Sequence, residues 1–259
     1  MVMTKTSVAI VKGKQPSKMI ERALELIMAR ELIKPEDKVL IKPNYVDAKH
    51  PSTGITTDSR VVESLIEFVR SIGVKKIVVG EGGSGDTERA FDVVGIRDVA
   101  ARNKVTLVNL NQDSIIQVRV PRALSLHEVG IAKIALNSTC IINVPKLKVH
   151  HMALVTLCMK NLMGLILPKN IMHNQLNEKI VDLAALVKDR AKINVVDGIV
   201  GAEVNEEHGN PVKMNLLIAG RDMVAVDSVA TAVMGIDPRR VKYLELAEKR
   251  SIGVSNLEE

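Results

Sequence analysis

The chain has 259 residues, of which 46% are hydrophobic and 25% charged, with a formal net charge of +6. This composition is typical of a globular protein that buries a sizeable core. Two Phe, two Tyr and no Trp argue against a nucleic-acid surface that stacks bases, while the positive charge suits an anionic ligand.

Strand and helix patterns alternate in the first half of the chain. Apolar runs predict strands at 7–12, 38–42, 75–80 and 104–110. Helical spacing predicts helices at 17–32, at 59–73 behind Asp58 as N-cap, and at 87–103 with an interruption near Gly95.

The second half continues the alternation. Strands are predicted at 114–120 (antiparallel or at an edge), 139–144, 192–198 and 214–220, and helices at 128–136, 153–163, 177–190, 222–234 and 238–249. Buried strands separated by helices predict an α/β fold with a mostly parallel, doubly wound sheet and helices on both faces. We expect a single domain over 1–259, with an inserted lobe around 145–180.

The N-terminus shows no signal-peptide pattern, and the longest apolar run is too short and too polar to span a membrane. We therefore expect a cytoplasmic protein without a membrane or nucleic-acid partner. Cys140 and Cys158 lie in apolar runs and are predicted to be buried thiols; the lack of a CxxC motif excludes a self-contained cysteine-ligated cluster or zinc site. The aliphatic composition hints at a thermophilic source.

Polar residues crowd the ends of the predicted strands, where open α/β sheets bind ligands. Lys42 and Asn44 follow the second strand, and residues 80–86 (GEGGSGD) follow the third. The glycines match G-x-G-x-x-G, a phosphate-cradle pattern, but Glu81 and Asp86 would repel phosphate. The alternative is a tight turn that needs positive φ.

The segment 143–164 carries the strongest signal. If residues 146–150 are extended, Lys146, Lys148 and His150 point the same way and would repel one another unless an anion or carboxylate lies between them. The alternative is a solvated basic loop. Lys160 lies in an apolar helix and should have a partner or a lowered pKa; alternatively, it is a C-terminal helix cation before Gly164 as the C′ glycine.

Two further features leave alternatives open. A metal site could be formed by His150, His173 and a carboxylate such as Asp197 or Glu203, although no pair has helical ligand spacing. Asp227 lies inside an apolar helix, behind Asp222 as N-cap. It either binds the ligand or accepts hydrogen bonds from the backbone of a neighbouring loop.

The segments VLIKPN, TGITTDSRVVESLIEFV, VGEGG, INVPKLKVH, TLCMKNLMG, VVDGIVG and DMVAVDSVATAVMGIDP occur in this order. Together they resemble the domain-of-unknown-function 362 family over residues 38–253. The polar positions that match this family are Lys42, Asn44, Thr56, Thr57, Lys146, Lys148, His150, Lys160, Asn161, Gly164, His173, Asp197 and Asp227.

The resemblance also implies a link to redox metabolism. Many members carry a ferredoxin-like pair of four-iron clusters in the same chain, and this sequence lacks those cysteines, so either a partner supplies the clusters or the chain does its chemistry without them. Where the family tends to show G-x-G-P, residues 202–211 read AEVNEEHGNP, which changes the charge of that loop.

The sequence favours an enzyme of unknown reaction class that binds a small carboxylated or phosphorylated metabolite. His150, Lys160 and Asp197 are the catalytic candidates. The ligand-binding candidates are Lys42, Asn44, Thr56, Thr57, Gly82, Gly83, Ser84, Lys146, Lys148, Asn161 and Asp227.

Two alternatives remain, and no cofactor is identified. The first is a redox-linked module that works with an iron–sulfur protein, or that holds a metal or cluster between the subunits of a homodimer. The second is a non-catalytic binding or scaffold protein, which predicts exposed lysines with ordinary pKa values.

Overall fold

A large mixed sheet runs through the computed structural model, which describes residues 6–258. The strands within this described range are β1 (Val8–Lys12), β2 (Lys38–Lys42), β3 (Lys76–Glu81), β4 (Thr106–Asn109), β5 (Ile115–Arg119), β6 (Glu128–Ala132), β7 (Cys140–Asn143), β8 (Lys146–His150), β9 (Leu154–Thr156), β10 (Ile166–Leu167), β11 (Ile193–Glu203) and β12 (Asn210–Gly220).

The large sheet has the order β1–β12–β11–β7–β2–β3–β4, with β8 beside β11 and β9 beside β8. Strands β11, β7, β2, β3 and β4 are parallel, whereas β12 is antiparallel to both of its neighbours. The predicted mostly parallel α/β sheet is therefore confirmed. Because the parallel strands end at one edge, their following loops meet there.

Helices cover both faces of this sheet. They are α1 (Pro16–Leu26), α2 (Ser59–Ser71), α3 (Thr87–Val93), α4 (Ile96–Arg102), α5 (Lys133–Asn137), α6 (Cys158–Asn161), α7 (Leu176–Val187), α8 (Met223–Val233) and α9 (Lys242–Lys249). Val39 and Ile41 of β2 pack into the core under α1, α2 and α4, while Leu40 packs into the core under α7, α8 and α9. This alternation follows from the two-residue period of a strand.

The helix predicted at 128–136 is wrong over its first half. Residues 128–132 form β6, which pairs with β5 and β10 in a small antiparallel sheet; α5 follows. Pairing with two neighbours decides the conformation of a short apolar run, and such pairing is not visible in local periodicity. The strand predicted at 114–120 is confirmed as β5, at an edge of this sheet.

The long helix predicted at 153–163 is also wrong. Residues 154–156 form β9 and pair with β8, and only the four residues of α6 are α-helical before a 3-10 turn at Leu162–Leu165. The helix predicted at 17–32 ends at Leu26 and is followed by a 3-10 turn at Ala29–Leu32. Within residues 145–180, β8 joins the large sheet and β10 joins the small one.

Strands β11 and β12 are longer than predicted and form a hairpin of eleven residues on each side. Its tip, residues 204–209, corresponds to the acidic stretch noted in the sequence. Across residues 6–258, the longest helix is α2 with 13 residues, and no helix is long and apolar enough to cross a bilayer.

Candidate functional site

A cavity of about 950 Å³ lies where the loops after β2 and β3 meet β8, β9, α6 and the segment 163–176. Its volume is at the upper end of the range for small-molecule sites. Eight of the predicted site residues line it: Asn44, Gly83, Ser84, Lys148, His150, Lys160, Asn161 and His173. Eight do not: Lys42, Thr56, Thr57, Gly82, Lys146, Asp197, Glu203 and Asp227.

A buried ion pair forms the floor of the cavity. Lys42 Nζ donates to both carboxylate oxygens of Glu81 at 2.9 Å and to Pro43 O at 2.9 Å. Glu81 also accepts the backbone N–H groups of Tyr45 and Gly82 at 3.0 and 2.7 Å. Burial lowers the pKa of Lys42, and Glu81 partly opposes that shift. The lysine therefore holds the loop together and does not face a ligand.

At two positions around this floor only glycine fits, because neighbouring atoms leave no space for a Cβ. A Cβ on Gly164 would overlap Glu81 Oε1 and lie 2.6 Å from Lys42 Nζ, and a Cβ on Gly83 would overlap Tyr45 O. The predicted roles are therefore corrected: Gly164 lies inside a 3-10 turn and is not a C′ residue, and the glycine loop needs space but no positive φ.

A chain of side-chain amides extends the floor. Asn161 Oδ1 accepts from Asn44 Nδ2 at 2.8 Å, and Asn161 Nδ2 donates to Asn143 Oδ1 at 2.8 Å. Two buried acceptors at the cavity, Asn44 Oδ1 and Thr156 Oγ1, have no hydrogen-bond partner within residues 6–258. Buried polar atoms are rarely left unpaired in native proteins. Because each of these two atoms is itself almost inaccessible, a ligand or a water molecule would reach it only after a small shift of the wall.

Lys148 is fully buried and has no carboxylate partner in the described chain. Its Nζ donates to Ile55 O at 2.9 Å and to Glu206 O at 3.2 Å. Burial and the nearby Lys160 lower the pKa of Lys148 to about 7. A desolvated ammonium group bound only to carbonyl oxygens is stabilised when an anion approaches it.

Lys160 and Lys169 are two further cations in the wall. Lys160 Nζ contacts Met163 Sδ at 3.7 Å, and Lys169 Nζ donates to Asn111 Oδ1 and, at 3.5 Å, to Ile166 O. Neither forms an ion pair with a carboxylate of residues 6–258, and burial lowers the pKa of each to about 8. Lys169 was not among the residues predicted from the sequence, because it follows Pro168 in a segment without helical or strand periodicity.

His150 is held as a neutral imidazole. Its Nδ1 accepts the backbone N–H groups of Met152 at 3.0 Å and Ala153 at 3.2 Å, so the ring proton belongs on Nε2. Burial, together with Lys160, lowers the pKa of His150. The two backbone donors also oppose a proton on Nδ1. His150 can therefore donate a hydrogen bond from Nε2 at neutral pH.

Glu206, in the tip of the β11–β12 hairpin, lies against this wall. Its carboxylate accepts the His151 backbone N–H at 3.2 Å, contacts His151 Nδ1, and lies 3.4 Å from His150 Nε2. Burial raises the pKa of Glu206, but hydrogen bonds from the backbone and from His151 outweigh this and lower it overall. The wall thus already accommodates one carboxylate supplied by the chain itself.

The candidate metal ligands come together differently from the prediction. Ligand atoms of His150, His151 and Glu206 lie within 4.8 Å of one another, whereas Glu203 is outside the cavity. A metal on His150 Nε2 would require a proton on Nδ1, which would then face two backbone N–H donors. The tautomer that a metal would need is therefore disfavoured at this cluster.

Lys146 and Asp197 form a second buried ion pair away from the cavity, at 2.8 Å. Asp197 also accepts the backbone N–H groups of Asp58 at 2.7 Å and Ile199 at 3.0 Å. Thr57 Oγ1 donates to Val144 O, and Thr56 Oγ1 to Lys49 O. In the structure, the hydrogen bonds and the ion pair of these predicted site residues hold β8, β11 and the loop after β2 against one another.

Asp227 lies on α8, outside the cavity. It accepts the backbone N–H groups of Cys158 at 2.6 Å and Met159 at 3.0 Å, at the start of α6. Burial raises the pKa of Asp227 to about 7, although these hydrogen bonds oppose the shift. The structure thus matches the alternative in which Asp227 binds the backbone of a neighbouring segment.

Both cysteines are buried thiols, as predicted. Cys140 lies on β7 and Cys158 on α6, and each is 0% exposed. Burial raises the pKa of Cys140 to about 12. Neither sulfur can reach a cluster shared between two subunits without local unfolding.

Comparisons with known proteins identify relatives. The model of the family described as Domain of unknown function (DUF362) matches residues 39–232. A relative, the thylakoid-associated protein sll1697 of Synechocystis, is 30% identical over 233 residues, which cover 84% of this chain and 69% of that protein. The apoprotein structure of the lactate racemase from Thermoanaerobacterium thermosaccharolyticum is similar, with a TM-score of 0.51 and 15% identity. The match covers 82% of this chain and 53% of the racemase, and at this identity it shows the α/β fold alone.

Proposed function

The chain belongs to the DUF362 family, and we propose that it is an enzyme. It binds a small carboxylated or phosphorylated metabolite and removes a proton from it. The observation that carries the proposal is the set of three cavity-lining lysines without carboxylate partners in residues 6–258. The lysines are Lys148, Lys160 and Lys169.

The charge balance supports an anionic ligand. When all four lysines are protonated, the floor and wall carry two positive charges in excess: Lys42, Lys148, Lys160 and Lys169 against the buried carboxylates of Glu81 and Glu206. Glu207 also lines the cavity but is exposed to solvent. Desolvated cations without counter-ions are costly, and a bound anion would offset that cost.

The same lysines support proton transfer. A base is most effective when its pKa lies near the working pH, and the pKa of Lys160 is lowered to about 8. The neutral amine would accept a proton from a carbon next to a carbonyl group, and the electron pair would move onto the carbonyl oxygen. His150 Nε2–H could donate a hydrogen bond to that oxygen.

The name of the structural neighbour suggests the first ligands to test. Lactate is a small carboxylate, and the cavity wall already holds the carboxylate of Glu206. We would titrate the protein with lactate, pyruvate and inorganic phosphate by calorimetry, beside Lys160→Met and, as a matched control, Lys133→Met at an exposed position outside the cavity. The proposal predicts that at least one anion binds and that only Lys160→Met weakens it, by tenfold or more.

Proton transfer is tested separately by NMR in D₂O. The protein should accelerate exchange of the protons next to the carbonyl group of a 2-oxo acid that binds, and Lys160→Met should abolish the acceleration. Binding without exchange in a panel of 2-oxo acids would leave a binding protein and refute the catalytic step. Anion affinity that is equal in wild type and Lys160→Met would refute the site itself.

The other functions predicted from the sequence have less support. The scaffold alternative expects exposed lysines with ordinary pKa values, whereas burial lowers the pKa of each of these three lysines. The burial of both cysteines argues against a shared cluster. The iron–sulfur protein partner, the homodimer, the cytoplasmic location and the thermophilic source stay predictions.

A further inference from the structure

The cavity lysines lie on separate parts of the wall. Lys148 is on β8 and bonds to the carbonyl of Glu206 in the hairpin tip. Lys169 follows β10 and bonds to Asn111; its Nζ would lie 3.3 Å from a Cβ on Gly82 in the glycine loop. One cation therefore lies at the hairpin tip and the other at the glycine loop.

Their electrostatic neighbours differ in the same way. Lys160 shifts the pKa of Lys148, and Glu206 acts on both of these lysines. Lys169 responds to Glu81 and Lys42 at the floor and not to Lys148 or Lys160, although Glu81 also acts on Lys148. Lys148 and Lys160 thus form one cationic group, and Lys169 forms a second.

The wall that joins the two groups is largely apolar. The chain from Lys160 to Lys169 contributes Met163, Leu167 and Pro168 to the lining. An anion of the size of phosphate would reach one cationic group and leave most of the 950 Å³ unfilled. Pockets of this size typically enclose most of a ligand with an apolar body.

We propose that the ligand is an elongated molecule with an anionic group at each end, one held by Lys148 and Lys160 and the other by Lys169 beside the glycine loop. The inference rests on the proposed function, because it requires that the cavity bind anions. The apolar part of the ligand would lie along Met163, Leu167 and Pro168.

The test compares inorganic phosphate with a series of alkanediol bisphosphates, from propanediol to octanediol, by calorimetry at fixed ionic strength. Joining two anionic groups at a length that fits both subsites should tighten binding on the order of 100-fold over phosphate. Lys169→Met should remove that advantage but keep phosphate binding at the other group. Lys160→Met should weaken both, and Lys133→Met should change neither.

Two outcomes separate this inference from the proposed function. If phosphate binds and depends on Lys160, but no bisphosphate binds tighter, or the advantage survives in Lys169→Met, the two-ended ligand is refuted and the anion site stands. If neither phosphate nor any bisphosphate responds to Lys160→Met, the proposed function fails, and the inference fails with it. Melting curves of each variant establish that the protein is folded.

Discussion

Replacing Lys160 by Met should stabilise the protein while removing its anion site. Burial lowers the pKa of Lys160 from 10.5 to about 8, and 1 pKa unit corresponds to roughly 1.4 kcal/mol, so the charged form is destabilised on the order of 3 kcal/mol. Because the residue is partly accessible, solvent screening reduces this to about 2 kcal/mol. Met has a similar volume and would replace the contact between Lys160 Nζ and Met163 Sδ by an apolar one.

The pH dependence of this gain has a defined sign. At pH 7 the ammonium is charged in both folded and unfolded chains, so the folded wild type bears the full desolvation cost. Between about pH 8 and 10.5 the folded lysine loses its proton first, so the wild type becomes more stable as the pH rises. The advantage of Lys160→Met should therefore be largest at pH 7 and shrink towards pH 10.

Urea unfolding at pH 7 and at pH 9.5 measures both effects, and equal m-values establish that the same transition is compared. Lys179→Met is the matched control, because Lys179 Nζ donates to Ile171 O at 2.6 Å and to Asn174 Oδ1. That variant should lose about 1 kcal/mol. A Lys160→Met protein that is less stable than wild type at pH 7, or a gain that is independent of pH, would contradict the reasoning.

Three further predictions concern the site. Phosphate affinity should fall as the pH rises above 7, and by about tenfold or more for each unit above 8, since Lys148 and then Lys160 lose their charges; calorimetry across pH 7 to 9.5 measures it, and a flat profile would remove both lysines from the site. Glu206→Gln should tighten phosphate binding about threefold to tenfold, because it removes a carboxylate beside the same cations; weaker binding would show that the carboxylate positions the wall. Gly164→Ala should cost about 2 kcal/mol or more because its Cβ overlaps Glu81, whereas Gly13→Ala meets only a flexible side chain; equal melting temperatures of the two variants would contradict this.

The sequence predicted the features that depend on local pattern. Alternating apolar strands and helices predicted the α/β sheet, and polar residues after the strands predicted the edge at which the cavity lies. The extended conformation of 146–150, which the sequence-based prediction took as a condition, is present as β8. Strands that are buried on both faces are apolar along their whole length, which a local pattern reveals. The carboxyl ends of parallel strands lie at one edge of the sheet, so the order of strands and loops along the chain is enough to predict that edge.

The sequence could not predict which lysines form buried ion pairs and which line the cavity. Lys146 pairs with Asp197 because β8 lies beside β11, while Lys148, two residues later, faces the cavity. The pairing of these strands is irregular between Asp197 and Ala202, so the environment of each lysine depends on a contact about fifty residues away. Lys169 lies in a segment without periodicity, and nothing local marks it as part of the site.

The ion pair at the cavity floor constrains how this protein can change over evolution. Exchanging Lys42 and Glu81 would keep the charges but leave the N–H groups of Tyr45 and Gly82 facing an ammonium that cannot accept them. Loss of either partner alone would cost about 3–5 kcal/mol, a large part of the roughly 5–15 kcal/mol that stabilises a typical domain. The wall lysines, by contrast, are predicted to destabilise the folded chain. Selection for a new ligand could therefore replace them one at a time while the Lys42–Glu81 ion pair at the floor is retained.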